Sequence, residues 1–313
     1  MLDMMHRRLC EIGMCAVISC AFAVNAETLR DDCWLWGHET GMLDGGPTNH
    51  WNLPPAKEYY HQVRACIDFG IANLCCVRWD MPKKEFRDSL APLRRVTFPV
   101  SSLSDNIESR DRLLNWSIEV AKEMPNMTGI DFDDFFRKND RPREAAYSLE
   151  ELKDVRRRVK ALERPIEMRL IAYDHLFRKG SPYFREEEQV RPFVEQFDTI
   201  LLWTWAARNL KELPATLANM RRLAGNKSIL LGIYLWDFGG PHVEISEANM
   251  KLQLDFALEK WKTHEIDGVI FLATSICNRD FAAVRMARQW VRDNGDCIRG
   301  QSAGCDDSTG GGM

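Results

Sequence analysis

The segment from Met127 to Phe136, MTGIDFDDFF, puts Asp131, Asp133 and Asp134 within four positions. Its flanks are apolar and read as a buried strand. Alternation then sends Asp131 and Asp133 to one face and Ile130 and Phe132 to the other. Carboxylates crowded on one buried wall repel each other and lose hydration. They persist where a ligand, a cation or a raised pKa offsets that cost, the condition under which a carboxyl group becomes useful for proton transfer. A solvated turn that only caps the next segment seldom carries residues such as Ile130, Phe132, Phe135 and Phe136 among and after its acids.

The elements that must hold these groups follow from hydrophobic periodicity. Strand-like runs occupy Cys33 to His38, Leu74 to Asp80, Val96 to Ser101, the aspartate segment, Ile166 to Asp174, Phe197 to Trp205, Ile229 to Asp237 and Gly268 to Ser275. Helical spacing separates most of them: Pro55 to Phe69, Glu85 to Leu93, Ser109 to Met124, Leu213 to Leu223, Asn249 to His264 and Phe281 to Asn294. A further helix is capped by Ser148, with Glu151 completing a capping box. Strand and helix alternate, so the strands are parallel, and eight of them in this length predict an α/β fold, a single-domain (β/α)8 TIM barrel over residues 27–295. Residues 296–313 read as a flexible, Gly- and Ser-rich tail.

In a closed barrel the strand face towards the helices must be apolar, so the more polar face points inward. That assigns Trp34, Trp36 and His38, Arg78 and Asp80, Asp131 and Asp133, Glu167, Arg169 and Tyr173, Trp203 and Trp205, and Gly232, Tyr234 and Trp236 to the interior. Catalytic groups on this fold sit at strand C-termini, where Glu39, Asp80, Asp133, Asp134, Asp174 and Asp237 fall. Carboxylates ringed by Trp and Tyr suit glycoside hydrolysis. One acid protonates the leaving oxygen, a second carboxylate attacks or activates water, and flat rings hold the sugar. Asp133 and Asp134, tuned by Asp131, are the candidate catalytic pair, with Glu39 or Asp237 as the partner carboxylate. Candidate substrate-binding residues are Trp36, His38, Arg78, Asp80, Arg169, Tyr173, Asp174, Trp203, Trp205, Tyr234 and Trp236. Asp80 and Asp237 are equally consistent with helix caps, and Glu167 with Arg169 reads as an interior ion pair.

Gly129-Ile130-Asp131-Phe132-Asp133 resembles the fourth-strand signature of the family 18 glycoside hydrolases, the chitinase-type barrels. The resemblance covers one strand and implies a glycosidase barrel acting on an oligosaccharide or polysaccharide, with no cofactor. In that family a glutamate two positions after the last aspartate is the general acid. Phe135 stands there in this chain. Either Asp134 or a carboxylate from another strand supplies the proton, or the barrel binds glycans without cleaving them. A metal-dependent hydrolase using Asp131, Asp133, Asp134 and His38 is a third reading, although the first strand offers Trp36-Gly37-His38 where a His-x-His pair is usual.

The 313 residues are 45% hydrophobic and 28% charged, an ordinary globular composition, and a net charge of -4 gives no electrostatic basis for nucleic-acid binding. No Gly-rich phosphate loop is present. His6, Arg7 and Arg8 precede an apolar run from Ile12 to Val24, with Ala26 as a cleavage position, so residues 1–26 read as an export signal. Val17-Ile18-Ser19-Cys20 also resembles a lipobox, which would anchor the exported chain to a membrane at Cys20. The 10 cysteines show no zinc spacing, and Cys297 and Cys305 form a candidate bridge.

Overall fold

The computed structural model describes residues 27–44, 51–56, 58–78, 80–101 and 106–300. The expected signal with Cys20, and Cys305, lie outside them. Eight parallel strands close into a barrel in sequence order. They are β1 (Cys33–Trp36), β2 (Asn73–Cys75), β3 (Arg95–Ser101), β4 (Met127–Phe132), β5 (Glu167–Tyr173), β6 (Thr199–Trp203), β7 (Ser228–Tyr234) and β8 (Gly268–Leu272). The helices between and after them are α1 (Gln62–Phe69), α2 (Lys84–Ser89), α3 (Ile107–Glu123), α4 (Leu149–Lys160), α5 (Glu187–Val194), α6 (Leu213–Ala224), α7 (Glu247–Lys262) and α8 (Ala282–Asn294). The TIM barrel expected from the alternation is therefore the fold. Among the described residues no helix is long and apolar enough to cross a membrane.

Local chemistry explains the element ends. Ser148 Oγ accepts the Glu151 N–H at 3.2 Å while the Glu151 carboxylate accepts the Ser148 N–H at 2.6 Å, which starts α4 where the capping box requires. Gly70 closes α1 in the left-handed conformation at φ 68°, as glycine permits. The sequence reading gives no helix to α5. It is eight residues long with Pro192 inside, too short a run to show a period.

Of the six strands given an inward set, five keep that phase and β2 does not. Cys75 and Asn73 point inward there: Cys75 Sγ donates to Asp131 at 2.8 Å, and Asn73 Nδ2 donates to the Cys33 carbonyl at 2.8 Å. The strand ends at Cys75, so the inward phase expected for Arg78 and Asp80 is one residue out, enough to turn every side chain to the other face. Elsewhere the register brings partners together. Asp131 on β4 pairs with Arg169 on β5, and their side chains meet at 3.1 Å with neither exposed. Arg169 thus takes Asp131, not Glu167, which is exposed and accepts from Thr199 at 3.2 Å.

Gly232 on β7 makes room for Trp203 on β6. A Cβ at 232 would lie 2.0 Å from the indole ring. At the barrel's base the chain stays attached beyond Gly295: Leu29 N–H donates to the Cys297 carbonyl at 3.0 Å, Arg299 pairs with Asp32 at 2.9 Å, and Cys297 is disulfide-bonded. Residues 296–300, expected in the flexible tail, are part of this base.

Candidate active site

β4 ends at Phe132, and the next two residues turn into the C-terminal mouth of the barrel. Asp134 adopts φ 46°, a left-handed conformation that Asp tolerates better than most residues with a Cβ. The turn aims both carboxyl groups into one cavity of about 740 Å³. Asp133 Oδ1 accepts the Asp134 N–H at 2.9 Å and the Tyr173 hydroxyl at 3.3 Å, and Ser101 Oγ donates to the Asp133 carbonyl at 2.9 Å. β3, β4 and β5 therefore all fix this acid.

Burial is the main influence on both carboxyl groups. It raises Asp133 well above the usual carboxylate range, the neighbouring Asp134 charge adds to the rise, and the Asp134 N–H and Tyr173 hydroxyl oppose it. Burial pushes Asp134 up to about 6, while the Arg137 guanidinium restrains it. A carboxyl group in that range holds or releases a proton near neutral pH. Burial also pushes His38 and His175 down to about 4, so both imidazoles are neutral at pH 7.

Aromatic rings form most of the remaining wall. Trp36 and Trp203 meet edge to face at 5.7 Å, and Tyr234 lies 5.0 Å from Trp203, which makes a floor at the ends of β1, β6 and β7. Above it Trp51 contacts Trp205 at 5.6 Å and Phe238 at 5.2 Å. His175 is stacked between Tyr173 at 5.1 Å and Tyr183 at 4.3 Å. Such rings offer flat apolar faces with polar edges, suited to the axial C–H face of a sugar.

Of the residues singled out from sequence, Trp36, His38, Asp133, Asp134, Tyr173, Trp203, Trp205 and Tyr234 line this cavity. The others do not. Asp131 and Arg169 lie in the barrel interior, fully buried, with Thr97 Oγ1 also donating to Asp131. Arg78 pairs with Glu39 and with Asp80, the latter at 2.6 Å, and none of the three lines the cavity. Asp174 accepts the Trp205 N–H and the Asn209 side-chain amide, each at 3.0 Å, and pairs with Arg178. Asp237 accepts the Ala207 N–H at 3.0 Å. Trp236 stacks on Phe281 at 5.5 Å and donates to the Trp51 carbonyl at 2.9 Å. The placement of Glu39, Asp237, Asp80, Arg78, Arg169, Asp174 and Trp236 at the site is corrected accordingly. Their polar groups serve loops and ion pairs of the scaffold.

The sequence reading missed Trp51, His175, Arg178, Lys179, Tyr183 and Phe238, which also line the cavity. They sit on loops or, for His175, in a single 3-10 turn over Asp174–Phe177, where no periodicity develops. The available signal was the aromatic and basic content of residues 173–185, directly after a strand. Among the described residues no three His, Cys, Asp or Glu side chains are grouped to hold a metal ion.

No known family description matches this chain, and none of the curated proteins matches it. Among solved structures the fold is similar to the spore cortex-lytic enzyme SleL of Bacillus megaterium QM B1551, at 12% identity and a TM-score of 0.53 over 86% of this chain and 75% of that one. It is also similar to active domain 2 of a thermostable chitinase from Pyrococcus furiosus, solved with chito-oligosaccharides. There the identity is 13% and the TM-score 0.51, over 82% of this chain and 87% of that one. At such identities the likeness is one of fold.

Proposed function

We propose that this protein is a glycoside hydrolase in which Asp133 and Asp134 form the reacting pair. The observation that carries the reading is two adjacent carboxyl groups, both with raised proton affinity, opening onto one aromatic cavity at the C-terminal mouth of a TIM barrel. Asp133, whose proton affinity burial and the neighbouring Asp134 charge raise the more, is suited to protonate the departing glycosidic oxygen. Asp134, half-buried and near pKa 6, is the member of the pair that ionises first and is suited to stabilise the oxocarbenium-like centre or to direct its attack by water. Trp36, Trp203, Trp205 and Tyr234 would hold the ring. The fold likeness to a chitinase that was solved with chito-oligosaccharides supports a saccharide ligand. The basic and apolar N-terminal run supports export, to the periplasm, an outer membrane or the medium.

A second reading rests on Phe135. It fills the position of the acid in the chitinase-type signature, is fully buried, and packs against Phe132, Phe193 and Phe197. A barrel that binds glycans without cleaving them fits that substitution. Turnover of a broad oligosaccharide panel, measured for the parent chain and for Asp133→Asn and Asp134→Asn, separates the two. Cleavage by the parent, lost in both variants with binding retained, supports the hydrolase. Binding without cleavage by the parent leaves only the second reading.

A further inference from the structure

The chain has a net charge of -4, yet basic groups are concentrated beside the cavity. Residues 137–143, RKNDRPR, carry four basic groups against one acid, and residues 178–185, RKGSPYFR, carry three against none. The two segments are joined: the Asn139 N–H donates to the Pro182 carbonyl at 2.8 Å, and Arg185 donates to the Arg137 carbonyl at 2.7 Å. The Lys138 ammonium lies 5.9 Å from the centre of the Tyr183 ring, which itself lines the cavity.

Arg178 and Lys179 are the lysine and arginine side chains in the cavity wall. Arg178 is neutralised by Asp174 and has Glu212 at 3.9 Å. Lys179 is exposed and, among the described residues, has neither an ion-pair nor a hydrogen-bond partner. The glutamates at 186–188 begin α5, where Glu187 is taken up by Arg191 and, at 3.0 Å, by Arg222. The cavity is thus polarised, with Asp133 and Asp134 on the β4 side and an uncompensated ammonium on the loop after β5. A neutral sugar gains no more than a hydrogen bond from such a group. An anionic one gains a charge-assisted contact with it.

We infer that the cavity takes an anionic glycan, with a carboxylate or sulfate substituent held by Lys179 and the glycosidic oxygen directed towards Asp133 and Asp134. This narrows the proposed substrate class and rests on the saccharide reading above. The charged substituent and the bond to be broken must lie at opposite ends of the bound unit, because an anion set against the two aspartates would be repelled.

The test is calorimetric titration of the Asp134→Asn full chain with length-matched neutral, uronate-containing and sulfated oligosaccharides, and with inorganic polyphosphate. The inference expects an acidic oligosaccharide to bind at least about tenfold more tightly than its neutral counterpart at about 0.02 M salt. The difference should shrink at about 1 M, where the screening length falls to about 3 Å. Lys179→Glu should abolish the preference and Lys179→Arg should keep it; Lys179 is exposed, so both variants should fold. Whether uronate or sulfate binds better identifies the substituent. Neutral oligosaccharides bound as tightly as acidic ones, a preference that survives Lys179→Glu, or polyphosphate bound as well as any sugar would overturn the inference. Neutral binding alone leaves the saccharide reading intact, whereas no binding of any glycan removes both.

Discussion

Arg169 and Asp131 face each other at 3.1 Å across adjacent strands, with no exposed surface on either side chain. The Trp34 ring lies 4.2 Å from the guanidinium carbon, and the guanidinium nitrogens have no hydrogen-bonding partner among the described residues. The two charges therefore depend on each other. Removing one leaves the other buried and unpaired, at a cost of about 3–5 kcal/mol, whereas replacing both by uncharged groups recovers much of it. Arg169→Met should lower the unfolding free energy by that amount in urea at pH 7, and Asp131→Asn combined with Arg169→Met should lose less than Arg169→Met alone. A single variant as stable as the parent would show that the pair does not hold β4 to β5.

Asp134 gives a pH dependence of definite sign. Its folded pKa of about 6 lies above the ordinary 3.8, so the folded chain binds the extra proton. The stabilisation from that proton is complete below about pH 3.8 and is lost as pH rises through about 6. Asp134→Asn, which cannot ionise, should therefore be the more stable protein at pH 7.5, by at most about 3 kcal/mol and less in proportion to the solvent that reaches the half-buried carboxyl. Near pH 3.5 the two proteins should unfold alike. Urea titrations at both pH values check this, and equal stability at pH 7.5 would mean that the site does not strain this carboxylate.

The barrel was legible in the sequence because its strands are apolar runs of regular spacing, and a parallel sheet buried on both faces leaves that pattern in the chain. Asp133, Asp134, Trp36, Trp203, Trp205 and Tyr234 were legible for the same reason: each lies on a strand or within two residues of its end. Trp51, His175, Lys179 and Tyr183 were not, since a loop side chain reaches the cavity by a route that no periodicity records. Asp237 and Trp236 misled because β7 ends at Tyr234. Beyond it the chain turns aside: Trp236 bridges to Glu244 and Asp237 accepts the Ala207 N–H, so neither keeps the direction that a continued strand would give it.

Gly232 tests the aromatic floor. The Trp203 ring covers the glycine so closely that an added Cβ would overlap it, at 2.0 Å from the nearest ring carbon. Trp203 is also held by Trp36 and Tyr234, so the ring has little room to retreat. Gly232→Ala should destabilise the fold by about 1–3 kcal/mol, the usual range for overpacking, and weaken saccharide binding by moving the floor. Thermal unfolding and a binding titration on the same sample check both parts. Gly232→Ala with parental stability and affinity would mean that the floor is soft.

Phe135→Glu would restore the signature glutamate, and the packing argues that it would not restore a working acid. Phe135 is fully buried, with ring centroids 5.1 to 6.2 Å from those of Phe132, Phe136, Phe193 and Phe197. Losing a buried phenyl ring alone costs about 3–5 kcal/mol. A carboxyl group placed among phenylalanines also gives up hydration with no donor supplied in return, so it would stay protonated or unfold its surroundings. Phe135→Glu should therefore be less stable than Phe135→Leu and should not cleave glycans faster than the parent. A folded Phe135→Glu variant with increased turnover would place position 135 on the reacting side of the cavity, and would make the loss of its carboxylate, rather than the pairing of Asp133 with Asp134, the central fact about this site.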